Sequence, residues 1–471
     1  MDLQSRVAAD MKRRANLLPL EIADWSNKAR KNIDGMGIHR SQFVALKTMM
    51  DTLLARQQTK LNNLSPQQPM QAFSDTLSTL LGDIIGTNTL WSFFRAILNQ
   101  RKDPTFGALL TVADLTAANC YLTCMDKAVE WGLCAENEHR EPPLVFLISS
   151  TSPDIFGRGK KLENVDEDLI FGSQTLPISL ARVPFDQVSC IWLLCALHHE
   201  VGHNLDQELN LRKELLKHLE LQLPQVGSQA QPATPAERIG VWKGWAGEIL
   251  ADAFGVLLAG AAFGYTMALL LLPMAPRFPN FRPGKPHPDS YIRVVLVAEL
   301  LRACDVPQLT SAADFIIDHW YNQQERPAWI TPYVENDCSR VAQVFLNTPL
   351  AALTDQNGLA HPLRDLVSNL AGDMQKTEQL ATFLSTGFNR PDPAKPTHFP
   401  FRLVPAAAQL AYMAIDTTNA AALEELQDRA LEYFTAIPRP EFLAAPVDRR
   451  AHIRKLAEQL DFSAIDVEEE R

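Results

Sequence analysis

The pentapeptide His199-Glu200-Val201-Gly202-His203, inside "CALHHEVGHNLDQEL", constrains this chain more than any other stretch. Its histidines are four positions apart, so on a helix they leave one face a turn from each other, and two imidazoles can then bind one zinc ion. Glu200 follows the first histidine directly. That places its carboxylate beside the metal, where it can take a proton from zinc-bound water. The surrounding positions agree with a helix crossing a core, because Val188, Ile191, Leu194, Leu197, Val201 and Leu205 give it an apolar body. Gly202 costs such a helix about 1 kcal/mol relative to alanine, and its use there is room for close packing. The helix is expected from about Gln187 to His218, with Asp186 as its N-cap after Pro184. His198 points about 100° away from the metal face, as a packing or surface histidine, and Cys195 reads as a small buried side chain.

Two histidines need a third protein ligand. Downstream, "GWAGEILADAFG" offers Glu248 and Asp252, four apart on an otherwise apolar helix. Two acids on one face of such a helix need a partner, and zinc with its ligands would supply it. Glu248 is expected to bind the metal, and Asp252 to accept a hydrogen bond from a ligand imidazole. The alternative is that both acids sit at the solvated start of the helix. Asp206 and Leu209 stand where a metzincin would place glycine and histidine, so that class fails.

"HEVGH" followed by "EILAD" resembles the gluzincin metallopeptidases over roughly residues 143 to 260. The resemblance implies one Zn²⁺ per chain on His199, His203 and Glu248, with Glu200 as catalytic base in peptide-bond hydrolysis. It also implies an antiparallel edge strand ahead of the motif helix that holds extended substrate. "TLPISLARV" occupies that place, with Ser179 and Ala181 as its substrate-pairing residues. Zinc peptidases usually have a second group that stabilises the transition state, and His287, Tyr291 and Tyr265 are the candidates. Each of the three also reads singly as a structural residue. "KPHPDSYIR" resembles the His-Pro segment of HtpX-type peptidases, which are membrane proteins.

Around this core the pattern is mainly α (α+β), with helical flanks about a zincin-like centre and a small antiparallel sheet. "FVALKTMMDTLLARQQTKL" and "FSDTLSTLLGDIIG" have apolar residues at spacings of three and four, so 1–135 reads as a helical amino-terminal region. Within the 136–275 core, "PLVFLISS" (143–150) and "TLPISLARV" (175–183) read as strands. The "SPDIFGRGKKLENVDED" between them reads as a polar loop, and "LPQVGSQAQPATP" (223–235) as a linker. Residues 276–471 read as helical with an acidic tail from Asp461. "RPGKPHPDSYIRVVLVAELL" and "PDPAKPTHFPFRLVPAAAQLA" share an order of proline-rich linker, histidine, proline, arginine and apolar helix, which linker composition explains as well as a repeat does.

The formal net charge of −11 argues against a nucleic-acid partner. Seven cysteines without a dense framework read as reduced thiols, and "MDLQSRVAADMKRRANLLPLEIADW" has no apolar stretch of signal-peptide length. A cytoplasmic metallopeptidase acting on a peptide or protein is therefore expected. Ala253 to Leu272, "AFGVLLAGAAFGYTMALLLL", is uncharged and long enough to span a bilayer, or else forms one or two buried helices. The alternatives are a non-catalytic zinc-binding interaction protein and a membrane-embedded peptidase. No glycine-rich phosphate loop or serine nucleophile elbow is present in the sequence.

Overall fold

Apolar residues at helical spacing build the first part of the chain as α1 (Leu3–Ala15), α2 (Leu17–Arg30), α3 (Arg40–Asn63), α4 (Met70–Asn99) and α5 (Gly107–Glu130). The structure, a computed structural model, describes residues 2–31, 39–134, 141–149, 153–157, 176–223, 235–273, 287–323, 328–393 and 400–437. The loop at 158–175, the linker at 224–234, the proline-rich runs at 281–286 and 394–399, and the acidic tail lie outside the described residues. The fold is mainly helical, with two small sheets.

The first sheet contains β1 (Leu144–Ile148), β2 (Asp154–Phe156) and β3 (Leu180–Pro184), in the order β1-β3-β2. β1 runs parallel to β3 with Val145 opposite Ala181, and β2 runs antiparallel to it with Ile155 opposite Ala181. The sheet is therefore mixed, and the strand expected at its edge is the central one. Leu180, Ala181 and Val183 are buried, as suits a strand covered on both faces, whereas β2 is half-buried throughout. Part of the segment read as a polar loop is thus the edge strand β2. Alternation along β1 divides the molecule. Leu144 and Phe146 join an apolar cluster with α2, α3 and α4, while Val145 and Leu147 join the main core.

The single helix expected across 187–218 is broken into α6 (Phe185–Val188), a 3₁₀ turn (Ile191–Cys195), α7 (Ala196–Leu209) and α8 (Arg212–Gln222). Asp186 lies in the first turn of α6, and Pro184 takes the cap position. α7 stops at Asn210, whose φ of 53° is left-handed, a conformation asparagine tolerates. The apolar run from Ala253 is likewise broken. α9 (Pro235–Ala259) and α10 (Ala261–Leu271) meet at Gly260, where φ is 58° and an added Cβ would stand 2.2 Å from the sulfur of Met374. Among the described residues α5 alone is long and apolar enough to cross a membrane, and 78% of its apolar window is buried.

The rest of the chain forms α11 (Ser290–Ala303), α12 (Pro307–His319), α13 (Cys338–Asn347), the hairpin of β4 (Pro349–Thr354) and β5 (Ala360–Pro362), α14 (Leu370–Thr386), α15 (Leu403–Ala414) and α16 (Ala420–Ala436). One apolar cluster takes in side chains from Leu109 to Ile437, on both sides of residue 275. α7 and α9 cross at its centre. None of the seven cysteines is in a disulfide among the described residues.

Candidate metal centre

α7 carries His199 and His203 on one face, and α9 brings Glu248 to them. Their approach depends on Gly202, where an added Cβ would lie 2.9 Å from Ala251 Cα and 2.9 Å from Phe254 Cβ. With hydrogen there, the two helix backbones nearly touch. His199 Nε2 is then 3.4 Å from Glu248 Oε2, His203 Nε2 is 3.4 Å from Glu248 Oε1, and the two Nε2 atoms are 3.2 Å apart.

These separations test whether a metal fits. Tetrahedral ligands about 2.0–2.2 Å from an ion such as zinc stand about 3.3–3.5 Å from each other, so little movement would be required. Glu248 Oε2 is buried and makes no hydrogen bond of good geometry, although His287 Nδ1 lies 2.8 Å away. Two imidazole nitrogens and one carboxylate form a donor set suited to a divalent cation. His199, His203 and Glu248 thus form a possible metal-binding triad.

Behind the triad, His199 Nδ1 is 2.8 Å from Asp252 Oδ1, which fixes the ring with Nε2 turned to Glu248. Asp252 is fully buried and accepts from Arg293 Nε at 2.9 Å and Nη2 at 2.8 Å. Arg293 Nη2 also lies 3.6 Å from Glu248 Oε2. The arginine was not evident from spacing. Its signal was the shared His-Pro-to-arginine order of the two similar stretches, whose other arginine, Arg402, is also buried and pairs with Asp373.

Charge at the site is set by burial and by these partners. Burial pushes Glu200 up to about 7; Glu248 and Asp154 add to this and His199 opposes it. Burial works to raise Glu248 too, but the adjacent imidazoles of His199 and His287 hold it below the usual carboxylate range. Burial opposes the charged form of His199, yet Asp252 outweighs it and raises the imidazole, while burial and the charge on His199 lower His203. Metal binding would take the place of that proton.

Glu200, the triad, His287 and Arg293 line a cleft of about 1040 Å³. The cleft wall includes Asp154 and Ile155 of β2, so the edge strand beside the site is β2. Ala181 is paired on both sides and Ser179 is buried with its hydroxyl donating to Asn204 Oδ1 at 2.6 Å, so neither can pair with substrate. Of the three proposed stabilising residues, His287 lines the cleft. Tyr291 instead packs edge-on against Trp320 and Tyr265 against Phe315, away from the cleft lining. His198 is a packing histidine, fully buried and bonded to the carbonyls of Cys195 and Arg402 at 3.0 Å each, and Cys195 is buried as expected.

No protein-family model, curated protein or solved structure matches this chain. The centre is accordingly defined by its own atoms, a His-His-Glu triad backed by an Asp-Arg pair and flanked by a buried glutamate in a cleft.

Proposed function

We propose that this chain is a zinc-dependent metallopeptidase of gluzincin type. The observation that carries the reading is the placement of Glu200. It lies one residue from His199, buried, in the wall of the same cleft that His203 and Glu248 share. A site that only stored or cross-linked a metal would have no use for a carboxylate there. Bound zinc would supply Lewis acidity, polarising a carbonyl and making water acidic near neutral pH.

The chain's own residues account for the rest. Glu200 accepts a proton from the attacking water and returns it to the leaving amine, a double task suited to a carboxyl that burial pushes up to about 7. Asp252 holds His199 in one tautomer, and Arg293 holds Asp252. His287, at the cleft mouth, is placed to steady charge developing on the carbonyl oxygen. Among the described residues no strand pairs with the outer edge of β2, along which an extended peptide can pair.

The test is zinc stoichiometry, melting temperature and peptide hydrolysis on wild type, Glu200→Gln and Glu248→Ala. Glu200→Gln should keep its zinc and melting temperature while turnover falls about 10²–10⁴-fold. Glu248→Ala should lose zinc, activity and some thermal stability together. Zinc lost from Glu200→Gln, or zinc and activity both retained by Glu248→Ala, would overturn the assignment.

A further inference from the structure

One side of the cleft, made by the end of α7 and the start of α8, carries two basic side chains, Arg212 and Lys213. Arg212 Nε donates to Asp206 Oδ2 at 2.8 Å, and the Arg212 backbone N–H donates to Asp206 Oδ1 at 3.1 Å. The aspartate side chain is 6% exposed and the arginine side chain 49%, so the guanidinium is anchored from inside and presented outward. Its place over α9 depends on Gly247, where an added Cβ would stand 2.8 Å from Arg212 Cζ. Gly247 directly precedes the ligand Glu248. Among the described residues none accepts from Arg212 Nη1. Lys213 lines the same cleft, exposed and without an ion-pair partner among the described residues. Met267, Leu270 and Leu271 of α10 supply apolar lining elsewhere in the cleft.

In a chain of net charge −11, an anchored guanidinium and a neighbouring ammonium without an ion-pair partner among the described residues, both lining the cleft, point to an anionic ligand. We propose that this wall is a carboxylate subsite, so that the substrate is a peptide bearing an acidic side chain or its own C-terminal carboxylate close to the bond cleaved. The inference rests on the peptidase reading and adds the substrate class. Consecutive Cα atoms are about 3.8 Å apart and an extended peptide advances about 3.3 Å per residue. Gly247 is next to Glu248 in α9, so a group held beside it lies within a few residues of the scissile bond along an extended peptide. Arg212 is the main binding group because Asp206 holds its guanidinium through Nε and Nη2, which leaves the outward Nη1 end to donate to a carboxylate. Lys213 adds charge.

Binding to zinc-loaded, full-length Glu200→Gln separates this subsite from the chemistry. The probes are fluorescent alanine-leucine peptides. The first has an amidated C-terminus and one aspartate stepped through it, the second has asparagine in those places, and the third is the asparagine peptide with a free C-terminus. Charge-assisted bonding should favour either the aspartate or the free-terminus probe by about tenfold or more, and whichever responds identifies the source of the carboxylate. Adding Arg212→Gln should abolish the preference, and adding Lys213→Gln should reduce it. Asp206→Asn with Arg212→Gln covers the case in which an unpaired Asp206 prevents folding. Equal affinities in both arms would overturn the subsite. So would a preference that survives Arg212→Gln, since the metal would then be the group binding the carboxylate. A preference present in a protein whose wild type cleaves nothing supports the subsite and counts against the peptidase; cleavage without preference does the reverse.

Discussion

Asp252 and Arg293 show how much of the centre depends on residues that never touch a metal. Each is buried, and each satisfies the other through two hydrogen bonds while Asp252 also orients His199. Asp252→Asn keeps the shape but removes the charge. Arg293 would then keep only Glu248, 3.6 Å away, as a charged partner, and the loss should approach about 3–5 kcal/mol, typical of a broken buried pair. The imidazole would lose the acceptor that fixes its tautomer, and such partners are worth about 10–100-fold in metal affinity. Asp252→Asn is therefore expected to melt lower even without metal, and to release zinc to a chelator at about 10–100-fold lower competitor strength. Unchanged zinc affinity would show that Glu248 and the two histidines hold their geometry unaided.

Among the elements, the α7–α9 crossing is the one on which the site depends. Gly202→Ala would place a methyl group 2.9 Å from the backbone of Ala251. The helices must then part, at a cost of about 1–3 kcal/mol for overpacking, and Glu248 moves away from the two histidines. Metal affinity should fall although no ligand has been altered, which a zinc titration would reveal; normal affinity would mean that α9 can slide without consequence. This glycine, the ligand pair and the acid that supports it were legible in the sequence because spacing on a helix fixes which side chains share a face. The ends and partners of elements were less legible. β2 is three residues long, too short to show alternation, and strand order is a tertiary property. That is why "TLPISLARV" was placed at the edge and lies in the centre. The break after Leu209 needs Asn210 in a left-handed conformation, stabilised by Asp206 reaching Arg212, and no apolar pattern encodes that. Arg293 comes to the site from a third region of the chain, through contacts that local periodicity cannot report.

At the scale of the whole molecule, the first sheet is a wall between two apolar clusters, and one buried polar cluster joins them. Arg101, just after α4, pairs with Asp114 of α5 at 2.8 Å, and Asp114 accepts the N–H of Val145 in β1 at 3.1 Å. His39, at the start of α3, completes the group with Nε2 3.3 Å from Asp114 Oδ2. The imidazole is 2% exposed. Burial holds its pKa below the ordinary value and Arg101 adds to this, against the pull of Asp114. Burial works to raise Asp114, but Arg101 and His39 outweigh it and keep the carboxylate charged. The sign of the pH dependence follows. An unfolded histidine takes up a proton near pH 6.5, whereas His39 in the fold resists it. Its contribution is therefore fully present above pH 6.5 and is lost as pH falls toward the lowered folded value. The loss approaches about 1.4 kcal/mol per pH unit for one such group. Trp25 and Trp91 lie in the amino-terminal cluster beside this junction and report its unfolding by fluorescence. Between pH 7.5 and 5 the wild type should lose stability more steeply than His39→Gln, with the difference confined to the range below about 6.5. Other buried histidines, His198 among them, contribute equally to both proteins and cancel. Parallel curves would remove His39 as the cause, and a wild type that gains stability on acidification relative to the variant would mean that the imidazole is charged and paired with Asp114 in the fold.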